Sequence, residues 1–438
     1  METRKKLPIH IQVFIGLLLG AIVGICAQSF VSDKAALKSI ADNYAKPIGN
    51  IFIYGIFMVV VPLLFAALTL GVAEIGDAKR VGRIGIRSLL LTVVLSGIAV
   101  LLGIGAINTF NPANTLSATQ KSELVARYGN TDEAKAKVAA AESAKAEDPP
   151  LFGFIPKNPL KEAVRALDGG LLPFMFFSLI FGLALGSIEA EKAQPVKAFL
   201  EGLFAVSLRM IDFAMKLAPI GVFCLIFFAA SQLGIDLLKA LSLYVIMVVA
   251  VLAFHLFVVY GIAIKTIARR NPVEFFRQIR VVMMTAFATS SSNATLPTAL
   301  RAAEEEVGLP REISSFVLTV GATANQNGTA LFEGIAIIFL ASMFGHPLAL
   351  TDQLVVMVLA IVAGVGTAGV PGGSLPVIGL ILVRFGIPAE AIGLIMGVDR
   401  ILDMSRTVLN VAGDLTIATC VSAMEDRAEA KGAALAAG

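Results

Sequence analysis

The chain has 438 residues, of which 57% are hydrophobic and only 15% are charged, and its mean hydropathy is +0.84. Soluble domains carry about 25% charged residues, so this composition excludes an ordinary soluble protein and indicates a polytopic membrane protein. The formal net charge of +3 is small, and no nucleic-acid partner is predicted.

Six apolar segments recur in the first two thirds of the chain, and each is long enough, or nearly so, to cross a hydrocarbon core about 30 Å thick. They comprise residues 9–29, 51–72, 88–109, 171–185, 204–230 and 241–264. Clusters of Lys and Arg precede the first segment and follow the second and the sixth. By the positive-inside rule these clusters are cytoplasmic, which predicts a multi-pass protein of the cell (inner) membrane with its N-terminus inside.

Residues 111–150 interrupt this pattern, because their composition changes to Ala, Lys, Glu, Ser and Asp. After three spans from a cytoplasmic N-terminus, the segment is predicted to be an external, solvated loop with some helix. No chemistry is assigned to it.

Three polar interruptions break the apolar segments that follow residue 271. They are residues 289–297 (TSSSNATLP), residues 321–329 (GATANQNGT) and residues 364–374 (GVGTAGVPGGS). The first and third lie between apolar arms too short to cross alone, which is typical of re-entrant helical hairpins. Broken helices in corresponding positions of repeats indicate the midplane site of a transporter, although Ser, Gly and Ala can also serve only close helix packing.

An apolar segment near the C-terminus, residues 391–421, contains five polar side chains at helical spacing. These are Asp399, Asp403, Arg406, Asn410 and Asp414. At about 100° per residue they fall on one face of a helix, and ionisable groups at membrane depth normally face a protein interior or a polar cavity. Because the face has more carboxylates than guanidinium groups, it is predicted to bind cations.

The two ends of this face suit different ligands. Arg406 offers a planar fork of donors for a carboxylate, and Asp403, one turn away, suits an ammonium group, so the two could hold an acidic amino acid. The alternative is an intrahelical pair between Arg406 and Asp403 that only neutralises both. Asp414, Asn410 and Asn325 could supply oxygen ligands to an alkali cation. Glu333, in an apolar environment, is either a proton carrier or a hydrogen-bonded structural residue.

At this point the residues resemble a known family, the glutamate transporter family of dicarboxylate/amino acid:cation symporters. The resemblance covers nearly the whole chain. It includes the serine-rich hairpin ending in Thr295, Leu296 and Pro297, and the break from Asn325 to Thr329, which is similar to the family's NMDGT motif. It also includes the GTAGVPG run at residues 366–372 and residues 403–414 (DMSRTVLNVAGD).

The resemblance implies an all-α integral membrane protein with eight transmembrane helices, two re-entrant hairpins and inverted repeats. It also implies a homotrimer whose protomers work as elevators. The scaffold would comprise residues 1–78 and 151–232, and the mobile transport domain residues 79–110 and 233–425. Residues 111–150 would form the external loop and residues 426–438 a cytoplasmic tail, so both termini would be inside.

The resemblance also implies site residues. Arg406 and Thr329 would bind the side-chain carboxylate of the substrate, Asp403 its amino group, and Asn410 and Ser292 its main-chain carboxylate. The whole substrate site would consist of Ser291, Ser292, Thr329, Val370, Gly372, Ser374, Asp403, Arg406, Thr407 and Asn410. One sodium site would be formed by Gly321, Asn325, Asn410 and Asp414, and a second by Thr323, Gly364, Val365 and Thr367.

The chain departs from the family pattern at positions that bear on coupling and on substrate choice. Asn327 and Gln326 replace the aspartate and methionine of NMDGT, and Leu95 stands where a hydroxyl is expected, although Ser96 is kept. A third sodium site should therefore be weakened or absent. Glu333 resembles the glutamate of proton-coupled members, so protons are expected to replace part of the sodium coupling. Asn293, Ser374 and Ala412 also differ, which leaves the exact substrate open.

The sequence thus predicts a symporter, not an enzyme, that imports glutamate or aspartate with sodium and possibly protons. Symport of a C4-dicarboxylate or of another small anionic or neutral amino acid, and coupling to protons alone, stay open as alternatives. An ion channel is a second class, because polar breaks can line a pore. An intramembrane enzyme is disfavoured, since no His accompanies the Asp cluster.

Overall fold

The computed structural model describes residues 9–76, 83–129, 155–164, 171–233, 235–366 and 374–436. All regular secondary structure within these ranges is helical. A helix satisfies its backbone hydrogen bonds within its own segment, which is the requirement that a bilayer imposes on a spanning chain. The all-α class predicted from the sequence is confirmed.

The first half of the chain forms nine described helices, and a π-helical turn, Ala41–Ala45, joins the second to the third. They are α1 (Ile9–Phe30), α2 (Lys34–Ile40), α3 (Lys46–Phe57), α4 (Val60–Gly76), α5 (Arg83–Thr109), α6 (Ala118–Gly129), α7 (Pro159–Val164), α8 (Leu171–Ser187) and α9 (Ala190–Leu233).

The second half forms ten described helices, and two π-helical turns, His255–Val259 and Ile264–Ala268, flank the second of them. They are α10 (Ile235–Phe254), α11 (Tyr260–Ala263), α12 (Pro272–Gln278), α13 (Arg280–Thr289), α14 (Ser292–Glu305), α15 (Arg311–Ala324), α16 (Asn327–Met343), α17 (Leu350–Gly366), α18 (Leu375–Arg384) and α19 (Gly393–Ala436).

Four continuous helical stretches of the described residues are long and apolar enough to cross a membrane. They are Ile11–Phe30, Arg83–Thr115, Ile235–Ala268 and Ala389–Ala430. A fifth span results if Ala190–Ala214 and Lys216–Ser231, which meet at an angle of 52°, cross together. Shorter apolar helices account for other predicted spans and hairpin arms, so the count of eight spans and two hairpins stays a prediction.

Most helix contacts fall within two groups, which also contact each other where α19 meets α1 and α9 and where α4 meets α15 and α17. In the first, α9 contacts α1, α3 and α4, and α4 also lies against α8. In the second, α16 contacts α5, α17 and α19, and α19 also contacts α13, α14 and α15. All residues of α16 are buried, as expected for a helix that is surrounded by others. The second group therefore places the broken segments around α16 and α19.

The polar interruptions are shorter than the sequence predicted. α13 ends at Thr289 and α14 begins at Ser292, while only Asn325 and Gln326 separate α15 from α16. Ser291 caps α14 with its side chain just after α13 ends, and Asn325 ends α15 directly before Gln326, the N-cap residue of α16, so a polar run need not be a long loop. α17 continues through Gly366, and residues 367–373 lie outside the described residues.

Two helices include charged segments. α9 begins at Ala190 and contains the charged segment 190–197, and α19 continues as a helix to Ala436, so the predicted tail from residue 426 is helical up to that residue. In both segments Ala, Glu and Lys are frequent. These are strong helix formers, so the helices extend beyond their apolar portions.

Candidate functional site

The polar face predicted on the C-terminal helix lies inside the protein. Asp399, Asp403, Arg406, Asn410 and Asp414 all belong to α19, and none of them is more than 5% exposed. Burial of so many polar groups is costly unless they have partners. The contacts of each group therefore indicate what the site can bind.

Asp399, Arg400, Asp403 and Arg406 form a charged cluster at the N-terminal part of α19. Arg406 Nη2 lies 2.9 Å from Asp403 Oδ1, and Arg406 Nε donates to the same oxygen at 3.0 Å. Arg406 Nη1 lies 3.3 Å from Asp399 Oδ1, and Arg400 Nη1 lies 3.8 Å from Asp403 Oδ2. The intrahelical pair that the sequence left open is therefore formed.

The guanidinium of Arg406 nevertheless keeps binding capacity. Its buried Nη1 lies 3.3 Å from Asp399 Oδ1 but forms no well-aligned hydrogen bond with a described residue. Its plane lies over the ring of Phe332, with the guanidinium carbon 4.4 Å from the ring centroid. Stacking holds the group in place without using its donors. A carboxylate placed at Nη1 would complete its hydrogen bonds.

Asn410 links α19 to the break before α16. Its Oδ1 accepts from Gly328 N at 2.7 Å, and its Nδ2 donates to Gln326 Oε1 at 2.5 Å and to Thr329 Oγ1 at 3.2 Å. Thr329 Oγ1 also donates to Gln326 Oε1 at 3.3 Å. Thus two of the predicted substrate residues, Asn410 and Thr329, both contact the carboxamide oxygen of Gln326.

Asp414 forms a second, different cluster with the same break. Its Oδ1 accepts from Asn325 Nδ2 at 2.7 Å, and none of the Lys and Arg side chains in the described ranges forms an ion pair with it. Asn325 is 2% exposed, and its Oδ1 has no hydrogen-bond partner among the described residues. A buried carboxylate beside a free amide oxygen is a donor set that fits an alkali cation.

Gly321 and Gly328 allow α19 to approach the break closely. A Cβ at Gly321 would collide with the Asp414 carboxylate, and one at Gly328 would lie 2.5 Å from the carbonyl oxygen of Arg406. Only glycine fits such contacts without displacing the neighbouring helix. The predicted ligands Gly321, Asn325 and Asp414 are therefore brought together, and Asn410 is joined to them through the break.

Asn327 is held in a neutral network that ties four helical segments together. Its Oδ1 accepts from Ser96 Oγ, and its Nδ2 donates to Tyr260 OH at 2.8 Å. Tyr260 OH in turn donates to Leu409 O at 3.2 Å. The two ends of this amide are therefore occupied by protein groups, and Leu95, which precedes Ser96 on α5, is buried.

The serine-rich turn between α13 and α14 reverses the chain at the tip of the predicted first hairpin. Ser290 adopts a left-handed conformation with φ 50°, and Ser291 caps α14 by accepting from Ala294 N at 3.2 Å. Ser292 is buried, and α13 and α14 both pack against α19. Ser374, at the start of α18, is buried and its Oγ has no hydrogen-bond partner among the described residues.

The other predicted site residues are placed as follows. Thr407 Oγ1 donates to Asp403 O within α19 at 2.8 Å. Thr323 is in the last turn of α15, and Gly364 and Val365 are in the last turn of α17. Thr367, Val370 and Gly372 lie outside the described residues. The second predicted sodium site is therefore described only in part.

Glu333 lies on α16, one turn after Thr329, and is completely buried. It directly follows Phe332, whose ring contacts Arg406, so it belongs to the region of the charged cluster. Both interpretations from the sequence, a proton carrier and a structural residue, remain open.

Sequence reasoning missed two residues that organise the site. Tyr260 holds Asn327 and the backbone of α19, and Gln326 bridges Asn410 and Thr329. The signal for Tyr260 was a lone hydroxyl in an apolar run. Gln326 was noted only as a replacement, because nothing in one sequence shows which groups its amide meets.

Comparisons with known proteins agree with the motifs. The sequence pattern of the sodium:dicarboxylate symporter family matches residues 9–424. The chain is 34% identical over 424 residues to the proton/sodium-glutamate symport protein of Bacillus subtilis (strain 168). This match covers 96% of this chain and 94% of the relative.

Two other relatives differ in the substrate that their names give. The proton/glutamate-aspartate symporter of Escherichia coli (strain K12) is 32% identical over 420 residues, covering 95% of this chain and 93% of the relative. The C4-dicarboxylate transport protein of Anaeromyxobacter sp. (strain K) is 28% identical over 435 residues, covering 98% of this chain and 93% of the relative.

Proposed function

The chain belongs to the sodium:dicarboxylate symporter family, and we propose that it imports an acidic amino acid, glutamate or aspartate, together with sodium ions and protons. The family predicted from the motifs is confirmed. The relatives with the higher identities are named as glutamate or glutamate-aspartate symporters that use protons or sodium. The site residues support the same class of substrate.

One observation carries the substrate class: Arg406 is buried, pairs with Asp399 and Asp403, and lies over Phe332, while its Nη1 faces Asp399 Oδ1 at 3.3 Å without a well-aligned hydrogen bond. A buried guanidinium donor recognises a carboxylate through charge-assisted hydrogen bonds. A substrate carboxylate would approach Nη1, and the ammonium group of the same molecule would approach Asp403. The ammonium group and one carboxylate of the substrate would then meet opposite charges that the protein already holds in place.

The main-chain carboxylate of the substrate has candidate donors in Asn410 and Thr329. In this structure the carboxamide oxygen of Gln326 accepts from both. Substrate binding would exchange this neutral oxygen for a charged one, which strengthens the hydrogen bonds. The exchange also requires Gln326 to move, so substrate binding would reshape the break.

Symport of a C4-dicarboxylate is the second candidate function, since one relative has that name. The buried carboxylate of Asp403 argues against it, because a dicarboxylate lacks the ammonium group that would balance this charge. We therefore assign glutamate or aspartate as the leading substrate.

Sodium would bind beside Asp414, where Asn325 offers its carboxamide oxygen. Asn325 and Gln326 are consecutive, and Gly328 N bonds Asn410, so both ligand sites share one short break. A cation that fixes Asn325 would also fix the residues that hold Asn410 and Thr329. This shared segment gives a physical route by which cation binding raises the affinity for substrate.

Two residues distinguish the coupling from that of a purely sodium-driven symporter. Asn327 has no charge, and both ends of its amide are bonded to Ser96 and Tyr260, so a third sodium ion finds no free ligand there. Glu333 would act as the proton carrier within the buried helix α16. Sodium at Asp414 and a proton at Glu333 would then share the coupling.

The architecture would be that of a homotrimeric elevator with cytoplasmic termini. The closer packing of α1, α3, α4, α8 and α9 with one another than with the group around α16 and α19 supports a scaffold of residues 1–78 and 151–232. The moving part would comprise residues 79–110 and 233–425. The positive-inside distribution of Lys and Arg supports the orientation.

Uptake of labelled aspartate and glutamate into proteoliposomes tests the proposal, with sodium and pH gradients imposed separately. We expect uptake under either gradient and competition by unlabelled aspartate but not by succinate. Glu333→Gln is expected to abolish the uptake driven by the pH gradient while sodium-dependent binding persists. Absence of uptake under both gradients, or preferential competition by succinate, would contradict the proposal.

A further inference from the structure

A cavity of about 60 Å³ lies between α5, α15, α17 and α19. Such a volume has room for about four water molecules. Asp414, Asn325 and Gln326 line one end, whereas Asp399, Asp403 and Arg406 of the charged cluster do not line it. The cavity therefore adjoins the candidate cation site and is separate from the charged cluster.

A row of hydroxyl groups lines the wall that α5 contributes. Ser88, Thr92 and Ser96 follow one another at intervals of four residues, which places them on one face of the helix over about 12 Å. The opposite face of α5 is apolar and exposed, with Leu90 59% and Val94 55% accessible. Hydroxyl groups in a row can replace part of the hydration shell of a cation as it passes.

The inner end of the cavity holds an unpartnered polar atom. Asn325 lines the cavity and is 2% exposed, and its Oδ1 has no hydrogen-bond partner among the described residues. Asp414 beside it has no ion pair with a described Lys or Arg. A buried oxygen without a donor at a cavity wall indicates that a water molecule or a cation binds there.

The other end of the cavity points to the basic end of α5. Ser88 follows Arg87, whose Nη1 lies 2.7 Å from Glu425 Oε1, and Arg83 Nη2 lies 3.4 Å from Glu425 Oε2. By the positive-inside rule this end is cytoplasmic. The walls from α15 and α19 extend from Asn325 and Asp414 toward the same end, through Phe316 and Ile417.

We propose that this cavity is the cytoplasmic path of the coupling cation, with Ser88 and Thr92 as its guiding hydroxyls, separate from the path of the substrate. The inference rests on the proposed cation coupling at Asp414 and adds a route and two residues to it. Between the hydroxyls the walls are mostly apolar, so an ion passes without being held. The cation can therefore reach the cytoplasm without passing the charged cluster.

Accessibility to silver ions tests the path. The native cysteines Cys26, Cys224 and Cys420 are first replaced by Ala, and Ser88→Cys or Thr92→Cys is then introduced. Silver ions applied from the cytoplasmic side, in inside-out vesicles, are expected to modify both cysteines, and sodium is expected to slow the reaction of Thr92→Cys. Leu90→Cys and Val94→Cys on the lipid-facing side are the matched controls and should react far more slowly.

A second measurement separates a path from a binding site. Thr92→Val is expected to leave the equilibrium sodium dependence of aspartate binding unchanged and to slow sodium-coupled uptake about fivefold, the effect of one lost hydrogen bond in a rate-limiting step. Val94→Leu should change neither quantity. Lower sodium affinity in Thr92→Val, or unchanged uptake, would overturn the proposal.

The two proposals can fail separately. Reaction of the four cysteines at equal rates, or faster reaction of Ser88→Cys and Thr92→Cys from the external side, would overturn the path even if the protein transports aspartate. Conversely, cytoplasmic silver reaction at Thr92→Cys that sodium slows would support the path even where the transported substrate differs from aspartate.

Discussion

Two clusters on the same helix use aspartate in opposite ways. In the charged cluster, Asp399 and Asp403 face Arg406, and Arg400 adds a second guanidinium. Asp414 lies about 12 Å from Arg406 along α19, and it accepts a hydrogen bond from the amide of Asn325 without a charged partner among the described residues. The side-chain type is the same, but the charge around it is balanced in one cluster and unbalanced in the other.

Under the proposed function, the difference would allow one helix to bind both an anionic substrate and a cation. In the charged cluster the ammonium group and one carboxylate of an acidic amino acid can exchange with existing partners as a neutral pair, and the second carboxylate is left for the donors of Asn410 and Thr329. At Asp414 a cation supplies the charge that the protein lacks, since an unpaired buried carboxylate is costly. Asn410 and the break at Asn325 and Gln326 connect the two clusters, so ligand binding at one cluster would change the ligand affinity of the other.

Of the four substitutions, removing the guanidinium of Arg406 should have the largest effect on the charged cluster. Arg406→Ala leaves Asp399 and Asp403 buried without their partner, a loss of about 3 to 5 kcal/mol when one member of a buried pair is removed. We expect binding of aspartate, measured by calorimetry in detergent, to be abolished. Arg301→Ala, an exposed arginine of α14, is the control and should bind normally; undiminished binding in Arg406→Ala would make Arg406 a purely structural pair.

Neutralising Asp414 should affect only the cation end. Asp414→Asn removes the charge that attracts sodium, and a charged interaction is worth about 1.5 to 3 kcal/mol. The sodium concentration for half-maximal aspartate binding should therefore rise by at least about tenfold, while binding at saturating sodium is retained. Asp212→Asn, at an exposed position of α9, is the control. An unchanged sodium dependence would remove Asp414 from the cation site.

Restoring a charge at Asn327 should make the neutral network resemble the Asp414 cluster. Asn327→Asp places a carboxylate between Ser96 and Tyr260, which is unfavourable without a cation and favourable with one. We expect a lower melting temperature without sodium and a steeper rise of that temperature with sodium than in the parent. Asn43→Asp, at an exposed position, should show neither change. A sodium response equal to that of the parent would mean that Asn327 does not limit cation binding.

Removing the carboxamide of Gln326, which accepts hydrogen bonds inside the site, should have the smallest effect on binding. Gln326→Met frees Asn410 and Thr329 from the carboxamide oxygen that they now contact. Because one hydrogen bond is worth about 1 kcal/mol net, aspartate affinity should rise about fivefold at saturating sodium. Binding isotherms would check this, with Gln120→Met outside the site as control. Weaker binding would show that Gln326 supports the substrate instead of competing with it.

Much of the class and of the site was predictable from the sequence. The apolar runs required helices, because a bilayer admits no unsatisfied backbone, and the polar face of residues 399–414 could not point to lipid. Helix ends were predicted less well, since Ser, Asn and Ala can extend or cap a helix, and α19 and α9 both continue through charged segments. The contacts of Gln326 with Asn410 and of Tyr260 with Asn327 were not predictable, because these partners lie more than sixty residues away in the chain.

By itself the sequence determined that the protein is helical, lies in a membrane, belongs to its family and buries Arg406 and Asp414 on one helix. Hydrophobicity and helical periodicity are local properties, and one chain displays them fully. Only the tertiary structure decided that Arg406 pairs with Asp399 and Asp403, that Asp414 faces Asn325, and that Ser88, Thr92 and Ser96 line a cavity beside it. Those facts depend on which helices pack together, and packing joins residues that the sequence keeps far apart.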